Sequence, residues 1–197
     1  MKKYIFLLFA FASIYAYAQN TTTTDRGVVI NNLRWATRNV NTPGTFVSAP
    51  EQIGMYYQWD RRQAWASTGE VTGWNSTYST ATTWSRENDP CPPGWRVPTR
   101  DELQSLIRGG RFAVNWNGTG VNGRVAGTAP DQIFLPASGW RRGGEGIIGS
   151  VNGSGHYWSS TPNNENSAFA MGFNSFNIGL GNFWRQHAAA IRCVAAE

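Results

Sequence analysis

Large aromatic side chains set into sequence that looks like loop constrain this chain most. From Pro43 to Pro93 it is dense in Gly, Pro, Ser, Thr and Asn, yet Tyr56, Tyr57, Trp59, Trp65, Trp74 and Trp84 recur through it. A disordered linker would not carry such residues, so the pattern predicts long ordered loops pinned into a core by their aromatics. Ten tryptophans and 22 glycines in 197 residues extend that expectation to the whole chain. Short elements joined by irregular, well-packed segments follow.

The first eighteen residues read as an export signal. Lys2 and Lys3 form a basic start, an apolar run follows, and Ala16-Tyr17-Ala18 is a small-x-small cleavage site. The run is shorter than the ~20 residues that span a bilayer, so no membrane insertion is expected after cleavage. Residues 19 to 26 are polar and Thr-rich and are expected to form a flexible leader. The stretch 27–197 has the length of one domain. Both lysines lie in the signal, which leaves fifteen arginines against twelve acids, a weak basic balance. The arginines are scattered rather than striped, which speaks against nucleic acid. Their expected role is to stack on aromatic rings or bind backbone carbonyls.

Local signals fix several elements. Asn31-Asn32 between two β-prone runs predicts a tight hairpin. Thr99 with Glu102 three residues on is a capping box, Leu103, Leu106 and Ile107 form one apolar face, and Gly109-Gly110 is a stop, so 99–108 should be helical. Residues 132–136 and 147–151 suit short strands. Phe169, Met171 and Phe173 alternate with Ala170, Gly172 and Asn174, which predicts a strand with the first set inward and the second outward. Residues 188–194 are expected to form one closing strand.

Two cysteines remain in an exported chain, and an oxidising compartment favours a Cys91–Cys193 bridge over two buried thiols. Neither His156 nor His187 has metal-ligand spacing to them. Hydrolase, metalloprotease, phosphate-loop and dinucleotide motifs are missing. Asp101 and Glu102 suit a helix N-terminus better than a catalytic pair. His156 reads as framework, whereas His187 lies in a segment that looks made for display. That segment begins after Tyr157-Trp158-Ser159-Ser160-Thr161 and closes at Ile191-Arg192-Cys193-Val194.

Taken together, Gly27 to Val40, Gly54-Met55-Tyr56-Tyr57-Gln58-Trp59, Asp89 to Thr99, Phe134 to Gly139, Tyr157 to Thr161 and Ile191 to Val194 resemble the Fibrobacter succinogenes major paralogous domain as found in gut Bacteroidetes. The resemblance implies an α+β, C-type-lectin-like fold: loop-rich, with short antiparallel strands, one well-specified helix and room for a second. It also implies kinship with formylglycine-generating enzymes and with the variable proteins of diversity-generating retroelements, whose mutable positions are Asn codons near the C-terminus. On that basis the expected ligand-binding residues are Asn163, Asn164, Asn166, Ala170, Gly172, Asn174, Phe176, Asn177, Asn182, Phe183, Trp184, Gln186 and His187. Trp184 and Gln186 are not reachable from Asn codons by changing adenines. The tripeptides of calcium-dependent sugar binding are missing, so neither calcium nor another cofactor is expected. The implied function is binding of a protein or glycan, without catalysis, by a protein that is secreted or held at the outer surface of a Gram-negative bacterium, with the periplasm as a further location. The alternative is a structural component of a cell-surface appendage or envelope assembly, and an enzyme related to formylglycine-generating enzymes or a glycan hydrolase comes third.

Overall fold

The computed structural model describes residues 24–196, so the signal and residues 19–23 of the leader lie outside it. The chain forms a strand-rich α+β domain with four antiparallel sheets and one α-helix among the described residues. None of these helices is long and apolar enough to cross a membrane.

The hairpin forms as its sequence dictates. Val28–Ile30 pairs with Leu33–Trp35, and Asn31 and Asn32 take φ of 52° and 64°, which a two-residue turn matching strand twist requires. The hairpin joins a four-stranded sheet in which Val194 lies against both Trp35 and Arg96, so the two ends of the domain meet. Cys91 and Cys193 are joined beside this junction, with Cα atoms 6.1 Å apart.

The helix runs Arg100–Ile107 with Thr99 as N-cap. Glu102 N–H donates to the Thr99 hydroxyl, and the Glu102 carboxylate accepts from Thr99 N–H at 2.7 Å. Leu103 and Leu106 are buried in the main core with Trp35, Leu135, Tyr157, Met171 and Phe173. At the other end, Arg124 donates to the carbonyls of Ile107 and Gly109, occupying acceptors that the last turn leaves open.

Three strands, Ser154–Pro162, Ser167–Asn174 and Ile178–Trp184, form an antiparallel sheet in that order. Facing pairs share a side of a sheet, so Tyr157, Met171 and Leu180 look toward the core and Trp158, Ala170 and Gly181 look away. Met171 and Phe173 are inward as expected. Phe169 is only half-buried, its ring lying under the Arg100 guanidinium at 4.9 Å.

Three expectations are corrected. Ala170 does face outward, but it is 3% exposed because Trp158 and Phe183 belong to a second core that covers it. The closing strand is two: Ala188–Ala189 enters a five-stranded sheet and Val194–Ala195 the four-stranded one. Asp25, placed in the leader, is buried and accepts hydrogen bonds from Gly27 N–H, Thr37 N–H and Arg38, so this residue belongs to the fold.

Arginines hold the irregular segments. The Arg192 guanidinium, fully buried, donates to Asn39 Oδ1 and to the carbonyls of Ala36 and Phe134. Arg141 binds the carbonyls of Ala66, Thr68, Gly69 and Gly146. Arg185 binds those of Ser79, Ala81, Asn164 and Ser167, and its plane lies 4.2 Å from the Trp59 ring centroid. Each guanidinium fork gives donors to buried acceptors, among them the carbonyls of Ala36, Ala66, Ser79 and Ala81 outside the strands or at their ends, that burial would otherwise leave orphaned.

Phe173 tests the inward register. Its ring lies between Phe112 and Tyr157 and over Gly155, where an added Cβ would collide with it. Phe173→Ala is expected to cost about 3 kcal/mol, toward the lower end for a buried Phe, because the two neighbouring rings can partly close the cavity. Urea unfolding monitored by circular dichroism checks it.

Candidate binding face

The outer face of the three-stranded sheet has a floor of small residues. Ala170, Gly172, Gly179 and Gly181 line an open depression of about 290 Å³ with His156, Asn182 and Phe183 around it. At 179 and 181 an added Cβ would meet nothing within 4 Å, so the strand there borders open space.

Beside this floor runs a continuous series of rings. Trp140 lies 4.4 Å from His156, His156 stacks on Phe183 at 4.9 Å, Phe183 lies 4.7 Å from His187, and His187 stacks on Trp184 at 5.6 Å. The series starts half-buried at Trp140 and ends at Trp184, 55% exposed. Phe176, 90% exposed, stands at the apex of the turn between the last two strands.

Both histidines serve this series as neutral rings. Burial, with His187 nearby, pushes the His156 pKa down to about 4. Burial and the neighbouring Arg142 lower that of His187. Gly143 N–H donates to His187 Nδ1 at 2.7 Å, so the neutral ring carries its proton on Nε2. A folded-state pKa below the ~6.5 of a free histidine means that the unfolded chain binds the extra proton between those values. The stability contributed by neutral His156 is therefore complete above pH ~6.5 and falls away toward pH 4, by about 2–3 kcal/mol. Urea unfolding at pH 7 and 4.5 should show a smaller acid penalty in His156→Phe than in wild type.

The expected site residues divide into two groups. Asn163, Asn164, Asn166, Asn174, Phe176, Asn177, Asn182 and Trp184 are exposed. Several of these asparagines also build turns: Asn174 Oδ1 accepts from Phe176 and Asn177 N–H, and Asn164 Oδ1 from Asn166 and Ser167 N–H. The other group is framework. Ala170 is covered, Gly172 lies under His156, and Phe183 is half-buried within the ring series. Gln186 donates to the Tyr78 hydroxyl in space that Gly143 leaves, and His187 is held by Gly143. The display segment implied by the resemblance places these last two on the surface, but Ala188–Ala189, just beyond them, is a central strand that draws them inward.

Two residues on this face went unnamed from sequence. Trp140 arrives from a different sheet, and only the spatial pairing of the sheets brings it to His156. Glu165 lies within the asparagine run and lines a second depression, of about 550 Å³, with Asn164, Asn166, Ser167 and Trp184. An acid between two predicted contact residues was the available signal for it.

Among curated proteins and among solved structures no match to the chain is found. The match to known families spans nearly all the described residues: positions 21–195 correspond to the Lcl C-terminal domain, and the chain belongs to that family.

Proposed function

We propose that this protein is an exported, calcium-independent binding module of the cell surface, built on a C-type-lectin-like fold as its resemblance to the major paralogous domains implies. It recognises a protein or glycan through the exposed edge strand Ile178–Trp184 and the turns at either end of the sheet that it forms with Ser154–Pro162 and Ser167–Asn174. The observation that carries this reading is the ring series ending in the exposed Trp184. A large aromatic braced from behind by a packed neighbour offers contact area at little entropic cost, as binding loops do. Asn166 supplies an exposed amide beside Trp184, and Asn182 and Asn177 supply others along the same edge strand and at its far turn. The kinship with retroelement-diversified proteins belongs to this reading. It fits best at positions 166, 177 and 182, whose side chains hold no turn together.

The test presents the purified domain on beads to bacterial and epithelial cells. Trp184→Ala combined with Phe176→Ala is expected to reduce adhesion at least about tenfold, with circular dichroism and melting temperature unchanged, since both residues are exposed. Val114→Ala, altering a residue that is 73% exposed just beyond the Arg111–Ala113 strand of a different sheet, serves as control. Equal adhesion by all variants would favour a structural role in a surface assembly.

A further inference from the structure

We propose that the depression between Trp184 and the turn at residues 163–167 binds a neutral sugar, its C–H face on the indole and its hydroxyls on the turn. This rests on the binding reading above and narrows its ligand class. The depression is lined by Asn164, Glu165, Asn166, Ser167 and Trp184. His187 stacks on Trp184 with planes 22° apart, fixing the indole while much of it stays exposed.

The turn opposite is rigid for reasons independent of any ligand. Asn164 Oδ1 accepts from Asn166 N–H, Ser167 N–H and the Ser167 hydroxyl, each at 2.9 Å, and Asn163 Nδ2 donates to Ser167 Oγ at 3.0 Å. Buried Arg185 then holds the turn from beneath: its guanidinium donates to the carbonyls of Asn164 at 2.6 Å and Ser167 at 3.3 Å, and its backbone N–H to that of Asn166 at 3.0 Å. Arg185 directly follows Trp184, so one strand end supplies both the aromatic plate and the brace for the wall facing it. A wall fixed in advance loses little freedom when ligand arrives.

The chemistry of the remaining groups selects the ligand. Asn164 Nδ2, the Asn166 amide and the Glu165 carboxylate have no side-chain hydrogen-bond partner among the described residues, and they offer donors and acceptors together. Hydroxyl groups, which both donate and accept, match that mixture. A sulfate, phosphate or carboxylate would meet Glu165 with no cation in the lining. A lysine or arginine side chain would satisfy Glu165 and the ring but would face the amide N–H groups as donor against donor. The negative face of the indole attracts the polarised C–H bonds of a sugar ring.

The test uses the whole domain on an array of neutral, sialylated and sulfated oligosaccharides, followed by calorimetry with the best neutral binder. Binding is expected among the neutral sugars, weakened at least about tenfold by Trp184→Ala and by Asn166→Ala and unchanged by Val114→Ala, all with wild-type melting temperatures. Asn166→Gln, which keeps the amide, should retain more binding than Asn166→Ala. No neutral sugar bound, or neutral-sugar binding indifferent to Trp184→Ala, overturns the proposal. So does capture of a lysine-rich peptide that is lost in Glu165→Gln. Cell adhesion that depends on Trp184 but resists competition by free neutral sugars overturns the sugar assignment and leaves the binding reading standing. Adhesion indifferent to Trp184 and Phe176 removes both.

Discussion

Arg192→Ala is expected to destabilise the domain by about 5 kcal/mol, lowering the melting temperature by roughly 10–20 °C for a domain of this size. The side chain is fully buried, and its guanidinium is the donor for Asn39 Oδ1 and for the carbonyls of Ala36 and Phe134. Those acceptors belong to the segment after the first hairpin and to the Asp131–Pro136 strand, so one side chain joins parts of the chain that share no sheet. Truncation leaves several buried acceptors without a donor, each costing about 1–3 kcal/mol, and a cavity besides. Arg192→Lys should recover only part of the loss, because one ammonium cannot reproduce the planar fork. Thermal and urea unfolding of both variants decide the matter. A loss below about 1 kcal/mol would mean that water replaces the guanidinium at all of these acceptors.

Opening the Cys91–Cys193 bridge is expected to cost about 4–5 kcal/mol. The two residues are 102 apart in sequence, and in the chain-entropy model a loop of that length loses this much unfolded-state freedom when closed. The bridge fixes the approach to Trp95–Arg96 against the last strand, where the ends of the domain meet. The paired Cys91→Ser and Cys193→Ser variant should therefore melt well below wild type, and wild type in reductant should fall to match it. Binding at low temperature should persist, because the ring series and the Asn163–Ser167 turn have their own supports. A melting temperature unchanged by reductant would contradict this account.

What could be read from sequence was whatever local chemistry decides. The Asn31-Asn32 turn, the Thr99–Glu102 capping box, the inward Met171 and Phe173 and the carbonyl-binding arginines each follow from a rule acting over a few residues. What failed depends on partners distant in sequence. Ile178–Trp184 reads as loop because Gly179 and Gly181 weaken its strand propensity, yet seven pairings with Ser167–Asn174 make it a strand. Gly123–Thr128, with glycines at 123 and 127, has equally weak strand propensity; it forms between Arg111–Ala113 and Asp131–Pro136. The run 188–194 looks like one strand because its apolar character is continuous, but its two ends find different sheets. At the candidate face, the exposed asparagines and Trp184 follow from the resemblance. The burial of Gln186 and His187 does not, since Gly143 and Tyr78 reach them from far along the chain.

The grip of Arg141 and Arg185 on carbonyl oxygens has an evolutionary consequence. Every residue type carries the same carbonyl, so these contacts do not register which side chains the gripped loops bear. Thr68 and Asn166, whose carbonyls are held and whose side chains hold no turn together, can therefore be exchanged while the backbone path stays anchored, whereas Asn164 and Ser167, whose side chains build their turn, and Gly69, at a φ of 65°, are constrained. Under the proposed binding role, substitution of Glu165 or Asn166 would alter what this surface offers a ligand while Asn164, Ser167 and Arg185 keep the turn in place.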